Sequence, residues 1–115
     1  MKINQTTSTG HLKISEEVIG AIVKQTVMEI EGVAGLALVP VSKKDYLLKA
    51  KKPKQIMIET NADSVKITLG ILMDKGYVIK RTAENVQRQV KEAVQNMAGV
   101  AVYQVNIYIA GILQD

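Results

Sequence analysis

The sequence predicts an α+β fold: two amphipathic helices packed on one face of a small mixed β-sheet, in the approximate order β-α-β-β-β-α-β. Three observations carry this. Apolar residues recur at helical spacing in two stretches, Ile19–Ile30 and Ile79–Met97. They alternate along Val65–Met73 and Val105–Ile109, as in strands with one buried face. A helix–glycine–strand unit also occurs twice. VKQTVMEIEGVA (23–34) matches VKEAVQNMAGVA (90–101) at Val23/Val90, Lys24/Lys91, Val27/Val94, Gly32/Gly99, Val33/Val100 and Ala34/Ala101. A helix that stops at a glycine and sends an apolar strand back under its own face explains the echo without invoking duplication.

Composition sets the outer limits. With 115 residues, 47% of them hydrophobic, the chain makes one domain with a core of its own. Residues 1–9 read as a flexible tail and 10–113 as the domain. There is no Phe, Trp or Cys, so Val, Ile, Leu, Met and Ala must build the core. The lack of cysteine excludes disulfides, thiolate nucleophiles and cysteine-based metal sites, and agrees with a cytosolic protein. MKINQTTSTG has no apolar centre and is not expected to be a signal peptide. The longest nearly unbroken apolar run, Val33–Val41, is far shorter than the ~20 residues of a spanning helix. Membrane association is therefore expected to be peripheral or through a partner.

Going along the chain, Leu12 and Ile14 alternate with His11 and Lys13, a short strand after Gly10. Ser15 is placed to cap a helix, with Glu16 and Glu17 near its positive end. The stripe Ile19, Ile22, Val23, Thr26, Val27 and Ile30 forms that helix's buried side, and Gly32 is expected at its end. Gly20 costs about 1 kcal/mol in a helix relative to Ala, which suggests a close backbone neighbour. LALVPV (36–41) reads as an edge strand because of Pro40. The segment 42–54 reads as a basic loop with one short helical turn around Tyr46–Leu48, closed by Pro53. QIMIET (55–60), the turn NADS and VKITLGILM (65–73) make a hairpin. Ile79, Ala83, Val86, Val90, Ala93, Val94 and Met97 are the stripe of the second helix, which ends at Gly99. A last strand runs from about Val100 to Leu113. It has Val105, Ile107 and Ile109 on one face and Gln104, Asn106 and Tyr108 on the other.

No catalytic constellation emerges, and no enzyme activity, cofactor or metal site is expected. His11 reads as a surface histidine, Ser15 as a cap, and Glu16, Glu17, Glu29, Glu31 and Asp74 as solvated acids. Gly32-Val33-Ala34-Gly35 matches the GxxG of nucleic-acid clamps, but it leads into a strand and lacks basic flanks, so a helix cap is the better reading. Charge supplies the one anomaly. Lys43, Lys44, Lys49, Lys51, Lys52 and Lys54 share their segment with one acid, Asp45, for a local charge of +5 in a chain of net +4. These lysines are candidates for binding RNA phosphates, anionic lipid headgroups or an acidic protein face. A solvated connector is the equally weighted alternative. A single tyrosine makes a poor stacking platform for RNA, and Tyr46–Leu48 is a small apolar segment for membrane insertion. Tyr103, Asn106 and Tyr108 are a candidate protein-contact surface on the mixed sheet face, with a plain solvent-facing sheet side as the equally weighted alternative.

These motifs together resemble the alkaline shock protein family, the envelope-stress-response domain of Gram-positive bacteria. The resemblance rests on Gly10, Ile14, Ser15, Val18 and Ile19, then on EIxGVxG at Glu29, Ile30, Gly32, Val33 and Gly35, and on the strand Val65, Ile67, Leu69, Ile71. Its most specific part is Val86, Gln87, Val90, Val94, Met97, Gly99, Val102, Val105, Asn106, Ile107, Ile109, Gly111 and Ile112. It covers about residues 10–41 and 65–112. It implies a non-enzymatic cytoplasmic interaction or scaffold domain in cell-envelope homeostasis or stress response. The implied partners are other family members and a membrane-anchored protein that holds the domain near the membrane, together with self-association. An RNA-binding module acting through loop 43–54 is the alternative function. Two features depart from the family pattern: Lys75-Gly76 followed by Tyr77 replaces the usual tyrosine–glycine pair, and the lysine-rich loop lies in a variable region.

Overall fold

β3 (Ser64–Met73) is the strand on which the sheet is built, and it pairs along both of its edges. The computed structural model describes residues 15–114. The predicted tail, the first short strand and His11 lie outside the described residues. The elements in order are α1 (Glu16–Met28), β1 (Val33–Ala37), α2 (Lys43–Leu48), β2 (Ile56–Thr60), β3, α3 (Ile79–Ala98) and β4 (Ala101–Ile112). Along one edge of β3, β4 runs parallel, from Ser64↔Ala101 to Met73↔Ile112. Along the other edge two strands lie end to end, both antiparallel. β1 pairs Val33↔Met73 through Ala37↔Gly70, and β2 takes over at Ile56↔Leu69 and continues to Thr60↔Val65. The sheet is thus mixed, as predicted, with the hairpin β2–β3 turning at Asn61–Ser64.

The alternation along β3 decides which face is buried. Val65, Ile67, Leu69, Ile71 and Met73 are all fully buried. α1 covers them with Ile19, Ile22, Val23 and Val27, and α3 with Val86, Val90 and Val94. The two helices pack side by side on this one face. Burying each such side chain contributes about 1.5–3 kcal/mol, so this layer supplies most of the driving force. α1 begins at the predicted cap, where Ser15 Oγ accepts from the Val18 N–H at 3.2 Å. α3 ends at Gly99, which is left-handed at φ 68°.

Four expectations need correction. The strand predicted at 36–41 is instead Val33–Ala37. The Ala37 carbonyl oxygen occupies the space of a Gly70 side chain, and Gly70 N–H already bonds Gln55 at 3.1 Å. β1 must therefore leave the sheet there, and only Val39 returns, in an isolated bridge to Lys54. Gly32 does not end α1, which stops at Met28. Bonds from Glu29 N–H to Thr26 and from Ile30 N–H to Val27 tighten the exit, and Gly32 sits in the following turn at φ 97°. Gly20 has no close neighbour at its side-chain position, so backbone approach does not account for it. In α3, Ile79 and Met97 mark the ends of the stripe but are 43% and 66% exposed, whereas Thr82 is buried.

Candidate interaction surfaces

Three surfaces gather the residues that sequence reasoning singled out. The first is the sheet face opposite α1 and α3, crossed at Gly70 by the chain leaving β1. Pairing across β2, β3 and β4 sets its rows: Glu59–Lys66–Gln104 and Met57–Thr68–Asn106. Across β1, β3 and β4 the rows are Ala37–Gly70–Tyr108 and Gly35–Leu72–Gly111. Asn106 bonds across the sheet. Its amide accepts from Gln104 at 2.9 Å and donates to Thr68 Oγ1 at 3.5 Å. Lys66 pairs with Glu59 at 3.0 Å, and that hydrogen bond, with the carboxylate's charge, raises the lysine's pKa above its usual value. Tyr108 stands beside this polar network, 41% exposed, next to Ala37 and Gly111, while Gly70 is buried where the Ala37–Leu38 backbone passes over it.

Tyr103 does not share that face on equal terms. The register with β3 slips between Val65↔Val102 and Lys66↔Gln104, so Tyr103 is the extra residue of an irregularity. It lines the second surface, a shallow groove between α3 and β4 that also holds Arg81, Glu84, Arg88, Lys91 and Gln104. Here α3 reaches the outer edge of β4. Gln87 Nε2 donates to the Val105 carbonyl at 3.0 Å, and Gln95 Oε1 accepts from Val102 N–H at 3.2 Å.

The third surface is the basic segment. It is an insertion, residues 38–55, between two strands that otherwise form one continuous edge. The Val39 N–H bond to Lys54 O, 2.8 Å, closes its base. The predicted helical turn is α2, capped by Ser42 Oγ, which accepts from Asp45 N–H at 3.1 Å. All six lysines are exposed. Lys49 pairs with Asp45 at 3.7 Å, which partly neutralises the segment's one acid. Lys51, Lys52 and Lys54 border a hollow along the edge of β2 that also includes Glu16 and Glu17 of α1 and Met57, Lys66 and Thr68 of the open face. The GxxG match is not a clamp, because Gly35 lies inside β1. No described residues form a group of three or more His, Cys, Asp or Glu placed to hold a metal.

Tyr77 is the departure from the family pattern that the structure explains. Its ring lies against Gly32, where a side-chain carbon would come within 2.9 Å of the tyrosine ring. Its hydroxyl donates to Glu31 at 2.9 Å, and this bond raises the phenol's pKa. The pair ties the α1–β1 turn to the approach into α3. Sequence reasoning overlooked this clamp, and also Met57, Lys66, Thr68 and Leu72 on the open face. The alternation of β3 that identified the core was the available signal for the last three.

A family model for alkaline shock protein 23, described by a cell envelope-related function, matches residues 4–114. The chain belongs to that family. As an alkaline shock protein it has full-length relatives of similar size. It is 30% identical over 115 residues to the uncharacterized protein YloU of Bacillus subtilis, covering 97% of this chain and 96% of YloU. It is 27% identical to the uncharacterized protein Spy1614 of Streptococcus pyogenes, covering 97% and 93%. Among solved structures, MamM-CTD 215-293 superposes with a TM-score of 0.52 at 10% identity, over 84% of this chain and 99% of that one. At that identity the likeness concerns the fold alone. The family places this protein in cell-envelope biology, and no described helix is long and apolar enough to cross a membrane.

Proposed function

We propose that this alkaline shock protein is a non-catalytic cytoplasmic docking domain of cell-envelope homeostasis, and that it binds protein partners through the open face of its sheet. The observation that carries the reading is the composition of that face. Leu72, Met57 and Tyr108 stand on it beside the small residues Gly35, Ala37 and Gly111. Beside them, the polar side chains of Thr68, Asn106, Gln104, Lys66 and Glu59 are already held in place by one another. Such a surface offers apolar area and preset hydrogen-bonding groups at little cost in side-chain entropy. The partners in this reading are other family members, further copies of this chain and a membrane-anchored protein.

Affinity purification from the native host, with and without nuclease, tests it. The comparison is wild type against a variant carrying Met57→Lys and Tyr108→Lys on the open face. Nuclease-resistant protein partners, including a membrane protein, are expected with wild type and lost with the variant. Partners retained by that variant would remove the sheet face from the account. Recovery of RNA alone, abolished by nuclease, would instead favour nucleic-acid binding through the six exposed loop lysines. Its log–log salt slope would then be at most about −4, from roughly −0.7 per phosphate neutralised.

A further inference from the structure

The insertion at 38–55 is built in a way that a solvated connector does not need. It is ordered into a capped helix, yet α2 buries no residue at all. Leu47 and Leu48 are 75% and 74% exposed and Tyr46 is 53% exposed, so the most highly charged segment of the chain also displays two adjacent leucines and a tyrosine. Helical spacing places a lysine one turn behind each: Lys43 beside Tyr46 and Leu47, Lys44 beside Leu47 and Leu48. Asp45 is turned to Lys49. This leaves Lys43, Lys44, Lys51, Lys52 and Lys54 outside any ion pair among the described residues.

We propose that this insertion docks the domain directly on an anionic phospholipid surface. Tyr46, Leu47 and Leu48 enter the headgroup layer, and the surrounding lysines meet lipid phosphates. Charge complementarity selects this occupant: the segment carries +5 while the rest of the chain is close to neutral. Lysine stems cover apolar surface while their ammonium groups stay at the polar boundary, which suits a water–lipid interface. Each basic residue near such a surface strengthens binding about fivefold. RNA would engage the lysines but leaves the two leucines without a role, since its bases stack on aromatic rings. Lys51, Lys52 and Lys54 share a hollow with Met57, Lys66 and Thr68 of the open sheet face, whereas Tyr46, Leu47 and Leu48 do not line it, so the leucine substitutions isolate the lipid contact.

Vesicle flotation tests it, using phosphatidylcholine vesicles with and without roughly one-third phosphatidylglycerol at about 0.1 M salt. The expected result is binding only to the phosphatidylglycerol vesicles. Changing Lys51 and Lys52 together to Gln should weaken it about 25-fold. Leu47→Ser with Leu48→Ser should weaken it about tenfold or more while circular dichroism stays unchanged. A Leu48→Trp variant, in a chain with no other Trp, should show blue-shifted fluorescence on anionic vesicles. The proposal is overturned if wild type does not float with them, or if the leucine substitutions leave flotation intact and the Trp signal unmoved. Equal loss of vesicle and single-stranded RNA binding in the lysine variant, with none in the leucine variant, would assign the segment to nucleic acid instead. The Met57→Lys, Tyr108→Lys variant adds two lysines and should float at least as well as wild type, so failure of either reading is visible separately.

Discussion

A side chain at Gly70 would have to share its space with the Ala37 carbonyl oxygen, which is backbone and cannot rotate away. Gly70→Ala is therefore expected to cost about 2–3 kcal/mol, seen as a lower urea midpoint at unchanged slope. Gly20 behaves in the opposite way. It lies within α1 with open space where a methyl would go, so Gly20→Ala should raise stability by about 0.5–1 kcal/mol in the same assay. Both residues are glycines inside regular elements, and the sequence treats them alike. The difference depends on what crosses over each one, which is set by tertiary register. Asn106 is a third instance. Its polarity within an apolar strand was visible in the sequence, and the neighbours that satisfy it, Thr68 and Gln104, follow from pairing with β3 and from the irregularity at Tyr103.

Among the elements, β4 combines length with an absence of charge: Ala101–Ile112 holds no Lys, Arg, Asp, Glu or Pro. Such an edge invites pairing with other chains. α3 blocks part of it with Gln87 and Gln95. Changing both to Ala should cost about 1–3 kcal/mol in total, and light scattering should detect more self-association than in wild type. Two further contacts join elements through protons. Tyr77 holds the α1–β1 turn as a neutral phenol bonded to Glu31, and Lys66 holds β2 to β3 as an ammonium bonded to Glu59. Both folded pKa values are raised. The protonated forms are thus favoured in the fold, and their contribution is complete below the ordinary values of 10.0 and 10.5. It is lost as pH rises through the folded ones. Melting temperature should fall as pH rises above about 10, less steeply in Tyr77→Phe than in wild type. Helix positions and the face of β3 were legible because period and burial coincide there. The limits of β1 were not, because the nearly unbroken run Val33–Val41 contains no apolar–polar alternation to show where pairing stops.

At the scale of the molecule, the sheet order resolves what the chain order leaves open. Sequence alone allowed parallel βαβ halves or a mostly mixed sheet. The outcome, β1 and β2 sharing one edge of β3, depends on a register that no local pattern encodes. It also brings the two proposed surfaces together at one place, where Lys51, Lys52 and Lys54 of the interrupting segment share a hollow with Met57, Lys66 and Thr68 of the sheet. Ala37 and Ile56 pair with the successive residues Gly70 and Leu69, so they stand about one strand step apart, roughly 3.3 Å. A chain with 38–55 removed and Ala37 joined to Ile56 should keep its far-ultraviolet circular dichroism and a cooperative melt, while losing vesicle flotation. The interrupted strand then acts as a socket. Segments of other length or charge can be spliced between the same two residues without altering the pairing on either side, so one scaffold can change what it touches while its core stays the same.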